Sequence, residues 1–162
     1  MSIESQFQTL FAYHWHTNLR LIDLAIKLDE SQIKEKQGYG RGSIRDLFFH
    51  LLRADQSWRI GLETGRQASP LRQGDFPDLK SIRTGFEHER GAWQELLDSF
   101  DTEQIAGDIS IENRRGESYS FPRWRILQHV LFHGMQHHSE LAQLLTAKGK
   151  PPGDIDFIFY EG

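Results

Sequence analysis

The chain has 162 residues, of which 26% are charged and 38% hydrophobic, and its net charge is −4. A chain of this length buries roughly two thirds of its unfolded surface in a single core. No shift in composition marks a domain boundary, so we predict one domain over residues 1–162. The basic residues are scattered rather than gathered into a patch, which argues against nucleic-acid binding. Zero cysteines exclude disulfides and thiolate ligands, so a metal would be held by nitrogen and oxygen atoms. Because there is no apolar run near 18 residues and no basic-then-apolar leader, we expect a cytoplasmic protein with no membrane partner.

Two long helical patterns occupy the first part of the chain. The first, over about residues 2–29, has an apolar stripe that also contains the polar residues His14 and Asn18. The second begins at Ser43, a good N-cap residue, and ends at Gly65, a good residue to follow a helix.

Two further helices and a hairpin are predicted in the second half. The third helix covers about residues 78–99, and the fourth runs from Pro122 to near Gly149. Between them, alternating residues on both sides of Asn113 to Gly116 predict a small β-hairpin that caps one end of the bundle. The tail DIDFIFYEG is expected to pack back on the bundle or on a second subunit. The pattern as a whole predicts an all-α four-helix bundle with a hairpin between helices three and four.

Three histidines recur every four residues in the predicted fourth helix: His129, His133 and His137. At about 100° per residue, His137 falls inside the apolar stripe, His133 at its edge, and His129 about 40° to the other side of His133. Two neighbouring buried imidazoles without a shared partner would be costly, and a shared cation would remove that cost. A single core histidine is more often structural, but this inward pair favours a metal site.

A His-x-x-x-His pair supplies only two ligands, so a site requires a third from elsewhere. His50 lies close to the apolar stripe of the second helix, beside Leu47 and Leu51. Alone it would be interpreted as a histidine at the core boundary. Opposite a helix that carries an inward pair, it completes the pattern of a three-histidine site.

These residues resemble the DinB/YfiT-like superfamily of small four-helix, metal-binding bacterial proteins. The resemblance runs nearly end to end, through FAYHWHTNLRLIDLA, SIRDLFFHLLRADQSW and ILQHVLFHGMQHHSELAQLLTAKGKPPGDIDF. It implies one ligand from the second helix and two from the last: His50, His133 and His137. His138-Ser139-Glu140 stands where many relatives read Arg-Gly-Gln, so the substrate preference of relatives does not transfer.

Three imidazoles around a divalent ion leave a position open for water or a cosubstrate, as in catalytic sites. The donors suit zinc or nickel, with iron, cobalt or copper as alternatives. The resemblance implies a homodimer and a metal-dependent enzyme acting on a small molecule, either a hydrolase or an S-transferase that uses a low-molecular-weight thiol. A non-catalytic metal-binding structural bundle, a dimeric stress-related protein and a bundle without metal remain alternatives.

Four further residues are candidates for roles around the metal: His129, Glu140, His14 and Asn18. His129 and Glu140 would orient the ligands through hydrogen bonds. His14 and Asn18 would line a substrate pocket beside the metal, or else satisfy each other. His138 is expected on the surface, and Trp124 is expected in the core with Trp58 and Trp93.

Overall fold

The computed structural model describes residues 1–38 and 42–162, and in this part of the chain it contains six α-helices and one antiparallel pair of strands. Their bounds are α1 (Ile3–Ala25), α2 (Glu30–Lys34), α3 (Ile44–Thr64), α4 (Leu79–Asp98), α5 (Thr102–Ala106), β1 (Asp108–Glu112), β2 (Ser118–Pro122) and α6 (Arg123–Ala147). The long helices α1, α3, α4 and α6 form the predicted bundle, in which α1 and α3 each pack against both α4 and α6. Each long helix therefore buries a wide arc of its surface against two neighbours.

The start of α3 is fixed by reciprocal capping. The hydroxyl of Ser43 accepts a hydrogen bond from the backbone N–H of Asp46, and the Asp46 carboxylate accepts one from the N–H of Ser43. The helix ends at Gly65, whose φ of 67° lies in the left-handed region that glycine adopts without strain. Both ends agree with the prediction.

The predicted hairpin is present and lies at the C-terminal end of α3. Strands β1 and β2 pair with Ser110 opposite Ser120. The backbone of Glu112 exchanges hydrogen bonds with Gly65 and Gln67 just after α3. The hairpin thus covers one end of the bundle, as expected from the sequence.

The core contains large aromatic side chains from α1, α3 and α4, whereas the buried apolar side chains of α6 are aliphatic. Phe11 of α1 stacks on Trp93 of α4 with the ring centroids 4.7 Å apart, and both side chains are fully buried. The prediction that Trp124 belongs to this core is wrong, because 39% of its surface is exposed. Trp124 lies in the first turn of α6, beside an open cavity between α1 and α6.

The C-terminal tail packs back on α1. The Tyr13 hydroxyl donates to the carbonyl of Ile155, and the guanidinium of Arg20 donates to the carbonyls of Pro152 and Asp154. Within the described ranges, no helix is both long enough and apolar enough to cross a membrane.

Candidate metal centre

Three imidazole rings meet between α3 and α6. The Nε2 atom of His133 lies 2.9 Å from Nε2 of His50 and 3.2 Å from Nε2 of His137. One ring nitrogen from each histidine lies within 4.8 Å of the other two. His137 is buried, whereas His50 and His133 are half-buried. The structure thus brings together the three residues that the sequence proposed as ligands.

The helices place these rings through ordinary packing. His133 and His137 are separated by one turn of α6, and the buried residues Val130 and Leu141 keep that face turned inward. On α3, the buried neighbours Leu47 and Leu51 do the same for His50. The cluster needs no unusual backbone, since none of its residues has a positive φ.

The cluster fits a divalent transition metal. For metal–nitrogen distances of about 2.0–2.1 Å and tetrahedral angles, neighbouring donors lie roughly 3.3 Å apart. The two measured Nε2 separations are within a few tenths of an ångström of that value. Among the residues that the structure describes, the group contains no fourth His, Asp or Glu. Three nitrogen donors are therefore available at one point, and in the described part of the chain no fourth carboxylate or imidazole belongs to the group.

Glu140 holds the outer side of His137. Its Oε2 atom lies 2.8 Å from Nδ1 of His137, one turn further along α6. A carboxylate there accepts a hydrogen bond from Nδ1–H of His137 and leaves the Nε2 lone pair directed at the other two rings. This contact has the form expected of a residue that orients a ligand.

His129 is exposed and lies one turn before His133. Its ring centroid is 6.0 Å from that of His133 and 5.1 Å from the half-buried indole of Trp58. Trp58 in turn lines a pocket of about 330 Å³ between α3 and the hairpin, here called the hairpin pocket. Its other walls include Ile111, Tyr119 and Phe121. Trp58 and His129 thus connect the wall of the pocket to the three-histidine cluster, and none of the three clustered histidines lines the pocket itself.

His14 and Asn18 lie in a separate group of side chains, here called the buried polar cluster, together with Asp55 and His138. Nε2 of His14 is 3.0 Å from Oδ2 of Asp55 and 3.0 Å from Nδ2 of Asn18. Nε2 of His138 is 2.8 Å from Oδ1 of Asn18. All four residues are at most 1% exposed. The sequence left two alternatives for His14 and Asn18: to line a pocket beside the metal, or to form a hydrogen bond with each other. The structure shows the hydrogen bond.

The expectation that His138 lies on the surface is wrong. Because α6 packs on both α1 and α3, His137 faces the α3 side while the adjacent His138 faces α1. The sequence analysis did not identify Asp55. This residue follows Phe48 by seven positions and Leu52 by three, a spacing that places it on the same inward face of α3. That spacing is the signal that could have identified Asp55 as a buried residue.

Burial dominates the electrostatics of this cluster. It raises the pKa of Asp55, although the neighbouring His14 opposes the shift. Burial also lowers the pKa of His138 well below its ordinary value, and the nearby histidines add to the effect. His138 is therefore neutral at pH 7.

Comparison with known proteins identifies the family to which the whole chain belongs. The family model of the DinB family matches residues 1–162. The chain belongs to the DinB family. No curated protein matches this DinB chain significantly. Among solved structures it is similar to YfiT from Bacillus subtilis, which is described as "a probable metal-dependent hydrolase with an unusual four-helix bundle topology". The similarity covers 92% of the DinB chain and 90% of YfiT, with a TM-score of 0.70 and 14% identity, and it shows a common fold.

Proposed function

We propose that this DinB protein is a metal-dependent hydrolase whose ion is held by His50, His133 and His137. The observation that carries the proposal is the convergence of three imidazole nitrogens from two helices, with no fourth protein donor in the group among the described residues. Three-nitrogen sites with an open position are typical of catalytic rather than structural zinc. The description of YfiT as a probable metal-dependent hydrolase agrees with this function.

A divalent ion at this point, with zinc or nickel best suited to the donors, would supply a Lewis acid and lower the pKa of a bound water toward neutrality. The chain's own residues prepare the site for that chemistry. Glu140 fixes the proton of His137 on Nδ1, so that Nε2 stays free to bind. His129 lies one turn along α6 and is exposed, so its imidazole is available to exchange a proton with substrate or leaving group.

The hairpin pocket supplies a place for the part of the substrate that does not react. It is lined by the aromatic side chains of Trp58, Tyr119 and Phe121, and Trp58 contacts His129 beside the cluster. Aromatic walls favour an apolar or aromatic group. The proposed substrate is therefore a small molecule with such a group next to an ester or amide bond.

A panel of aryl esters and anilides tests this function with untagged protein loaded with zinc or nickel. Turnover is expected with metal, and it should fall to the background rate after chelation and in His133→Ala. The matched control is His88→Ala, since His88 lies on α4 with 79% of its side chain exposed and outside the cluster. Equal turnover in the metal-free protein and in His133→Ala would refute a metal-dependent hydrolase.

The same assay separates the two rival functions. Turnover that appears only after addition of a low-molecular-weight thiol would assign S-transfer, in which the thiol must come as a cosubstrate because the chain has no cysteine. Bound metal that stabilises the fold without any turnover would assign a structural role.

A further inference from the structure

The hairpin pocket lies between one face of the hairpin and one face of α3. Ile111 pairs directly with Tyr119 across the two strands, so their side chains lie on one face of the hairpin. Phe121 follows Tyr119 by two residues and lies on that face as well. On α3, Trp58 and Gly61 are three residues apart and share a side of the helix. The pocket therefore has aromatic side chains on both of its walls.

Gly61 sets the width of the hairpin pocket. It lies inside α3, where glycine costs about 1 kcal/mol relative to alanine. A methyl group added at Gly61 would lie 3.1 Å from Cδ1 of Ile111, closer than two carbon atoms prefer. The hairpin is held in place, because the backbone of Glu112 is hydrogen-bonded to Gly65 and Gln67. The absence of a side chain at position 61 thus keeps the space between α3 and Ile111 open.

The walls of the hairpin pocket carry no charged side chain. In the part of the chain that the structure describes, no Lys, Arg, Asp or Glu lines it. A charged group that entered would lose its hydration without gaining a counter-ion. The walls therefore favour an uncharged group.

The pocket wall also offers unpaired hydrogen-bond donors. The indole N–H of Trp58 has no partner among the described residues and, unlike the buried indole N–H of Trp15, it is accessible to solvent. Oε1 of Gln67 accepts a hydrogen bond from the N–H of Arg114, which leaves the NH₂ group of Gln67 without a partner in the same part of the chain. Oδ1 of Asn113, in contrast, already accepts two backbone hydrogen bonds. A ligand that supplies an acceptor would satisfy the free donors.

We propose that the hairpin pocket selects substrates by an uncharged aromatic ring that carries a carbonyl group. The indole N–H of Trp58 donates to that carbonyl, and Gly61 and Ile111 limit the size of the ring. The ring stacks on the aromatic walls, and the carbonyl supplies an acceptor without adding charge. This inference rests on the proposed function for the role of the bound group as part of a substrate. The binding itself needs none of the three-histidine cluster, since no residue of that cluster lines the pocket.

Binding of acetophenone to the zinc-loaded full-length protein tests the proposal. Isopropenylbenzene keeps the shape but has no carbonyl oxygen, and benzoate keeps the ring but carries a charge. We expect acetophenone to bind at least about tenfold more tightly than either, which corresponds to about 1.4 kcal/mol. In proton–nitrogen correlation NMR spectra it should shift the indole signal of Trp58, assigned with Trp58→Phe. The signal of Trp93, whose indole N–H is buried and bonded to the carbonyl of Asp55, should stay in place.

Three variants test the role of Gly61. Gly61→Ala should weaken acetophenone binding at least about fivefold, because the added methyl group pushes Ile111 into the pocket. Combining it with Ile111→Val should recover most of the affinity, since the second change removes the Cδ1 atom that the methyl group would meet. Gly91→Ala is the matched control, because no atom lies within 4 Å of its added methyl group, and it should bind as the wild type does.

Equal affinity for acetophenone and isopropenylbenzene would refute recognition of the carbonyl, and an unshifted Trp58 signal on binding would place the ligand elsewhere. Equal binding by Gly61→Ala and Gly91→Ala would refute the role of Gly61. Acetophenone has no bond to hydrolyse, so its binding should persist in His133→Ala even where turnover is lost. Failure of the hydrolase function would therefore leave this result intact, whereas turnover of aryl esters without any acetophenone binding would overturn the inference alone.

Discussion

Replacement of Gly134 by alanine should destabilise the protein, although the same change usually strengthens a helix. The added methyl group would lie 2.4 Å from Cε1 of His14. That ring is held by Asp55 and Asn18 at 3.0 Å each and cannot swing away without breaking both contacts. Overpacking of this kind costs about 1–3 kcal/mol. The gain in helix propensity offsets about 1 kcal/mol, so the net loss should be up to about 2 kcal/mol.

Urea unfolding monitored by circular dichroism measures the loss, and Gly91→Ala in α4 is the matched control. No atom lies within 4 Å of the methyl position at Gly91, so that variant should gain about 0.5–1 kcal/mol from propensity alone. In thermal unfolding the two variants should shift Tm in opposite directions, by about 2–4 °C per kcal/mol. A stabilising effect of Gly134→Ala, equal to that of Gly91→Ala, would refute the close contact between α6 and the His14 ring.

Three further predictions concern stability. Glu89→Ala removes the bidentate partner of the buried Arg59, whose Nε and Nη2 atoms lie 2.7 and 2.9 Å from the carboxylate, and should cost about 3–5 kcal/mol in urea unfolding. Glu63→Ala, at the more exposed end of the same guanidinium, should cost about 1 kcal/mol or less, and equal losses would contradict the assignment. Asp55→Asn removes a carboxyl whose pKa is raised by burial above its usual 3.8. Because the folded wild type keeps that proton to higher pH than the unfolded chain, its unfolding free energy should fall relative to the variant as pH rises from 4 to 7, and a constant difference would refute the shift. Ser43→Ala removes the N-cap of α3 and should cost about 0.5–2 kcal/mol, seen as a lower urea midpoint at unchanged m-value.

The helices could be predicted because local signals agree with the packing. Ser43 and Gly65 fixed both ends of α3 before any tertiary contact was considered. The first helix was predicted to run to residue 29, but it ends at Ala25. Asp29 then begins the short helix α2 with its own capping box to Gln32, a signal that the apolar periodicity obscured.

Some features of the candidate site could likewise be predicted from the sequence, and others could not. The four-residue repeat predicted that His133 and His137 share a face, because that relation depends on one helix only. The burial of His138 depends on which helices lie on each side of α6, and a single apolar stripe per helix does not contain that information. The inward position of Asp55, in contrast, could have been predicted from its spacing to Phe48 and Leu52 on α3. The contact of His50 with the pair requires the two helices to pack together; the apolar stripe beside His50 suggested it, and the family resemblance implied the same ligand set.

Metal content of the untagged protein tests the central claim most directly. Elemental analysis after dialysis should find about one zinc or nickel ion per chain in the wild type and in His88→Ala. His50→Ala and His137→Ala should each lose most of it, since each removes one of three converging nitrogens. Full metal content in both of these variants, or none in the wild type after exposure to zinc and nickel, would contradict the assignment of the three-histidine cluster.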